Sequence, residues 1–227
     1  MKTLYICAMI CNEETAQLLA AHLLQIKAIK LQPSKPFTWP SGWISPICCD
    51  SRLTLSAPMV RTFIRQHMTQ AILERVAKPQ AIAGVATGGI PHGVLVAQEL
   101  GIPFIYVRPD ANSAGTGSQI EGGLNGFTEA VVVEDLVSSG KSSLSAVKAL
   151  REAGIMVQYM FSVFDFQFPL AQKAFDEAKV KLFSLSAFEP LMQQALALDY
   201  IREDDIPLLS TWRTAPDGWP QTKKNQL

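Results

Sequence analysis

Val131-Val132-Val133-Glu134-Asp135-Leu136-Val137-Ser138-Ser139-Gly140-Lys141-Ser142-Ser143 decides how this chain is read. An apolar strand runs into two adjacent carboxylates, then a serine–glycine turn, then a helix. The turn and helix start offer free backbone N–H groups and hydroxyls, which together make an anion site. Glu134 and Asp135, at the strand's end, suit a ribose diol or a hydrated Mg²⁺, which takes one or two carboxylates along with substrate phosphates. The plainer alternative is a βα loop in which Ser138 or Ser139 caps the helix. Gly140-Lys141-Ser142 also looks like the end of a Walker loop. That motif needs a glycine five residues before Gly140, where Asp135 stands.

Outward from this turn the chain alternates. Apolar runs at Ala81–Val85, Phe104–Val107, Ala130–Val133, Ile155–Phe164 and Lys181–Leu185 read as strands. Between and after them, Val94–Leu100, Leu144–Ala153, Gln167–Ala178 and Ala187–Leu198 read as helices. Strands alternating with helices predict an α/β fold, a mostly parallel twisted sheet flanked by helices. Ligands of such sheets sit at the carboxyl ends of strands where strand order reverses, which directs attention to the turns after Val85, Val107 and Val133. Ahead of this core, Glu13–Lys27 has helical spacing with Asn12 as N-cap, and Pro58–Ala77 is helical. Gln32–Pro46, rich in Pro, Ser and Trp, reads as loop with short extended pieces.

Composition narrows the function. Twenty basic residues balance twenty acidic ones, so a basic field for nucleic acid is lacking. No stretch reaches the roughly 18 apolar residues of a membrane span. Cys7, Cys11, Cys48 and Cys49 match no zinc spacing and read as reduced thiols, which suits a cytoplasmic protein.

The strand–acid-pair–small-residue loop resembles the phosphoribosyl-pyrophosphate (PRPP) motif of type I phosphoribosyltransferases. More of the chain is similar to the orotate branch of that family. Ser41-Gly42-Trp43, Ser45-Pro46 and Cys49-Asp50 through Thr54 look like its N-terminal region. Thr87-Gly88-Gly89-Ile90-Pro91-His92-Gly93 looks like its pyrophosphate loop. Tyr106-Val107-Arg108, then Gly115, Gly117 and Gln119–Gly122, looks like the borders of its mobile loop. The similarity runs in register from about Leu18 to Leu198.

The resemblance implies a hood region over 1–55, a core over 56–200 and a tail over 201–227, within one globular domain. It implies transfer of phosphoribosyl from PRPP to orotate, with Mg²⁺ as cofactor, in a cytoplasmic homodimer. Glu134 and Asp135 would hold the ribose hydroxyls, and Asp135 would meet Mg²⁺ through Mg·PRPP. The main chain of Leu136 and Val137 with Ser138, Ser139, Gly140, Lys141 and Ser142 would wrap the 5′-phosphate, Ser138 also nearing the base. Thr87, Gly88, Gly89 and Arg108 would face pyrophosphate.

Departures from the family pattern gather at the chemistry. Positions where the mobile loop carries two lysines and a histidine are Asp110, Asn112 and Ala114, which puts Asn112 at a catalytic loop-lysine position. On the base side, Ile44 stands for a lysine, Cys48 for an aromatic and Ser51 for an asparagine, and Lys141 is extra. Three readings stay open on the sequence: transfer to orotate, transfer to another base, or PRPP binding with little catalysis as a sensor or partner subunit.

Overall fold

A computed structural model of the chain describes residues 9–39, 41–109 and 118–219. The chain opens with β1 (Met9–Ile10) and α1 (Glu13–Gln25), whose Asn12 cap accepts the Thr15 N–H at 2.9 Å. Then come β2 (Ile29–Leu31), β3 (Phe37–Thr38), β4 (Ile44–Ser45) and β5 (Ile47–Cys49), followed by a 3-10 turn over Ser51–Ser56. These pair only among themselves, β2 with β5 and β3 with β4, both antiparallel. They form the hood, in which the Gln32–Pro46 loop turns out to hold a hairpin.

The core follows as α2 (Pro58–Arg75), β6 (Ile82–Val85), α3 (Gly89–Leu100), β7 (Phe104–Val107), β8 (Ile120–Glu121) and β9 (Val131–Val137). It continues with α4 (Lys141–Glu152), β10 (Tyr159–Asp165), α5 (Pro169–Glu177), β11 (Lys181–Ala187) and α6 (Phe188–Ala197), and α7 (Ile206–Thr214) ends the described chain. Seven strands form one sheet in the order β1-β11-β10-β9-β6-β7-β8, parallel throughout except where β8 returns against β7. Val131–Val133, Met160–Phe164 and Leu182–Leu185 are buried on both faces, as expected of a sheet covered on both sides.

From β6 the chain steps one way to β7, and from β9 it steps the other way to β10. Right-handed crossovers in opposite directions send α3 and α4 to opposite faces. The turns after β6 and β9 therefore diverge and leave a crevice between them.

Several boundaries differ from the sequence reading, β10 starting at Tyr159 and α4 at Lys141, and two of the differences shape the crevice. β9 does not stop at Val133 but runs on through the acid pair to Val137, because Glu134, Leu136 and Val137 continue the ladder with Ser162, Phe164 and Asp165 of β10. α3 starts at Gly89, five residues before the apolar spacing begins, because its first turn lies against β9.

Candidate active site

In the turn after β6, Thr87 is exposed and Gly88 and Gly89 carry the chain toward β9. A Cβ on Gly88 would stand 2.1 Å from a carboxylate oxygen of Asp135, and one on Gly89 would stand 2.5 Å from the Val133 carbonyl. Both distances are impossible for a real side chain. Bare backbone at these positions lets the two diverging turns touch, with the Asp135 carboxylate seated on the Gly88 Cα.

The turn after β9 reaches α4 through Gly140, whose φ of 77° is left-handed. Neither Ser138 nor Ser139 caps the helix. Its first hydrogen bond runs from the Leu144 N–H to the Gly140 carbonyl, 2.9 Å, so the N–H groups of Lys141, Ser142 and Ser143 have no intrahelical acceptor. The hydroxyls of Ser138, Ser139 and Ser142 and the Lys141 ammonium make no hydrogen bond or ion pair among the described residues. Seven uncommitted donors around one turn describe an anion cradle.

The adjacent acids have separate surroundings. Glu134 is 4% exposed and accepts from the Ser143 hydroxyl at 2.9 Å and from the Asp135 N–H at 3.1 Å. Burial first, and the neighbouring charge of Asp135 second, push its carboxyl well above the usual carboxylate range. Glu134 thus ties the strand to the start of α4. Asp135 alone of the pair faces the crevice. Leu136 is half-buried, and the Val137 side chain is fully buried with its carbonyl taken by the Phe166 N–H at 3.1 Å.

The hood closes over Asp135 through contacts that sequence reading did not assign to the site. Ser51 Oγ donates to Asp135 Oδ2. Thr54 Oγ1 donates to the Ser51 carbonyl at 2.6 Å and lies 3.4 Å from His92 Nε2. With the Thr54 proton committed, the imidazole is left as donor at Nε2, which makes Nδ1 an acceptor; it has no partner among the described residues. Burial lowers His92 to about 4, against a smaller opposing pull from Asp135. The Cys49 thiol is pushed up by burial and by the negative charge of Asp135. His92, part of the stretch that resembles a pyrophosphate loop, is the buried joint between α3 and the hood. No local spacing reveals these contacts, since His92 lies 38 residues from Thr54 and Asp135 lies 84 from Ser51.

Of the other expected site residues, Ile44 and Cys48 sit half-buried in the hood on β4 and β5. Arg108, just past β7, donates to the Ser118 carbonyl at 3.3 Å and pairs with Glu121 at 3.2 Å. It must exchange these partners to reach a ligand. Asp110, Asn112 and Ala114 lie outside the described residues. Among the described residues, no group of three or more His, Cys, Asp or Glu side chains converges to hold a metal. A lone carboxylate beside a phosphate cradle fits Mg²⁺ that arrives on its substrate's phosphates.

Comparison with known proteins agrees with this geometry. Residues 60–158 match the model of the phosphoribosyl transferase domain. The chain is 49% identical over 207 residues to an orotate phosphoribosyltransferase of Phocaeicola vulgatus, covering 91% of this chain and 98% of that one. It is 41% identical over 213 residues to that of Bacillus subtilis, covering 94% and 99%. The crystal structure of orotate phosphoribosyltransferase from Aeropyrum pernix superposes with a TM-score of 0.69 at 27% identity, covering 78% of this chain and 97% of that one. The crevice lies at a strand-order reversal, with bare glycine backbone on one lip and a carboxylate beside an anion cradle on the other, and this chain belongs to the orotate phosphoribosyltransferase family.

Proposed function

We propose that the chain moves the phosphoribosyl group of PRPP onto a ring nitrogen of orotate, giving orotidine 5′-monophosphate and pyrophosphate. The bond from the ribose anomeric carbon to pyrophosphate oxygen breaks, the carbon–nitrogen bond forms, and the base nitrogen's proton leaves to solvent. Positive charge develops on the ribose and negative charge on the leaving group, so positioning and electrostatics are what the protein has to supply.

In this reading the 5′-phosphate occupies the cradle of Ser138, Ser139, Gly140, Lys141 and Ser142. Asp135 exchanges the Ser51 hydroxyl for the ribose hydroxyls. Glu134, held inside, keeps the cradle at its distance from β9. Pyrophosphate lies along Thr87, Gly88 and Gly89, where the absence of Cβ atoms allows close approach, and Arg108 swings from Glu121 to meet it. Ile44 and Cys48 flank the base. Mg²⁺ would be carried by the phosphates of PRPP beside Asp135 and would supply charge neutralisation there.

The single observation that carries this reading is the Asp135 carboxylate seated on Gly88 beside an uncommitted phosphate cradle. Incubation with PRPP, Mg²⁺ and orotate, followed by mass spectrometry, should yield orotidine 5′-monophosphate and pyrophosphate together. A yield equal to buffer would sink it. Asn112→Lys places a cation toward the leaving group and should raise kcat. The family resemblance supports a cytoplasmic homodimer, which light scattering of the purified chain would report as twice the chain mass.

A further inference from the structure

The base-side hairpin is a weak structure left to itself. β3 and β4 contribute two residues each, and their pairing joins Thr38 to Ile44. A two-stranded hairpin of this size does not hold in water without something to pack against. It packs on Phe166 and Phe168 of the core, which Trp39 meets at 5.2 Å and Trp43 at 6.2 Å, and on a ring from the other end of the chain. Trp212, on α7, is fully buried and meets Trp39 edge to face with ring centres 5.9 Å apart. The same indole stands edge-on to Phe166 at 5.6 Å and to Phe168 at 5.2 Å, both in the segment after β10. Trp39 in turn accepts the hairpin: its N–H bonds the Trp43 carbonyl at 2.8 Å, and its indole N–H bonds the Ile47 carbonyl at 2.9 Å. Ile47 opens β5, which carries Cys48 and leads to Ser51 and its bond to Asp135.

α7 is itself fastened to the core on its own account. Arg213 donates to the Gln167 carbonyl at 3.3 Å, pairs with Glu189 at 3.4 Å and lies over the Phe188 ring at 5.2 Å.

We propose that Trp212 is a positioning residue for the base side of the site: the carboxy-terminal helix, through the Trp212–Trp39 contact, sets the hood hairpin that carries Ile44 and, through Ile47, the strand that carries Cys48. The inference rests on the transfer reaction proposed above only for its kinetic test. The phosphate side depends on it far less: the cradle and the Gly88 turn are built on β9 and β6 within the central sheet, and Trp212 reaches them only at one remove, through Phe166 and its bond to Val137.

The experiment compares the full-length wild type with W212A, W212L and W212F. The indole N–H of Trp212 has no partner among the described residues, so W212F gives up no hydrogen bond and should behave as wild type. By hydrogen exchange with mass spectrometry, W212A should exchange the amides of 29–49 about tenfold faster or more, with those of β6 and β9 unchanged. In initial-rate kinetics its KM for orotate should rise about 10- to 100-fold while that for PRPP stays within about twofold, the signature of misplaced rather than removed contacts. If W212A does not fold, W212L carries the same expectations, since it keeps apolar bulk but not the ring. Unchanged exchange in the hood, equal acceleration in β9, or equal changes in both KM values would overturn the inference. A wild type that makes no orotidine 5′-monophosphate would defeat the function reading alone, and the exchange measurement would still decide this one.

Discussion

The phosphate cradle and the base-side hairpin border one crevice, yet they are built in opposite ways. The cradle is local: one strand, one left-handed glycine and one helix start within thirteen residues place every donor. Its accuracy comes from a seven-stranded sheet that cannot move without unfolding the molecule. The hairpin is assembled from a distance. Two-residue strands carry Ile44 and neighbouring residues, and tryptophans from residues 39 and 212 hold them in place. A site whose rigid half grips the constant part of the substrate, and whose pinned half faces the variable part, can change its choice of base without disturbing its hold on the sugar phosphate.

The sharpest way to break that division is at the point where rigid parts touch. Gly88→Ala drives a methyl into the Asp135 carboxylate and should reduce kcat/KM by about 10²- to 10³-fold through PRPP, with the fold retained. Steady-state pyrophosphate release measures it, and a loss below tenfold would show that the turns have room to part.

The joint between hood and core can be tested by pH. His92 titrates at about 4 in the folded chain against about 6.5 unfolded, so the unfolded state binds more protons between these values. The contribution of His92 to stability should therefore be complete above about pH 6.5 and fall by about 3 kcal/mol on acidification toward pH 4. His92→Gln cannot take up the proton, so the difference in urea-unfolding free energy between variant and wild type should shift by that amount across the window. Parallel pH profiles for the two proteins would remove His92 from the joint.

Asp135→Asn takes the charge from the crevice and should weaken Mg·PRPP binding by about 1.5–3 kcal/mol, read by calorimetry. The smallest effect belongs to the hood's side of the same contact. Ser51→Ala deletes the donor to Asp135 and should cost the free chain about 1 kcal/mol of stability. PRPP affinity should not fall, because the ligand takes over that partner. A weaker PRPP complex would mean that Ser51 stays bonded when the substrate is present.

These regions also differ in how far the sequence discloses them. The apolar alternation through Val131–Val133 and Ile155–Phe164 predicts a parallel sheet because burial on both faces leaves a continuous hydrophobic run, and the cradle is legible because its parts are contiguous. The extension of β9 through Glu134 and Asp135 is hidden, since two carboxylates look like a strand's end until their ladder partners in β10 are known. The different fates of those acids are hidden for the same reason: Glu134 is inside because Ser143 is there to meet it. Ser51, Thr54 and His92 fall in segments that resemble the family, but nothing in the sequence shows that they meet, because they are joined only across the fold. Trp212 reads as part of a tail of unassigned role, and only packing reveals that it reaches the hood.

The sheet's two margins, among the described residues, are β1 and β8, each only two residues long. Past β8 the chain still hugs its neighbour: a Cβ on Gly122 would come within 2.9 Å of Ile105. The β8 border presents no row of free amide and carbonyl groups long enough for a stranger's strand to zip onto. Copies of this protein in concentrated solution should accordingly not polymerise through that border.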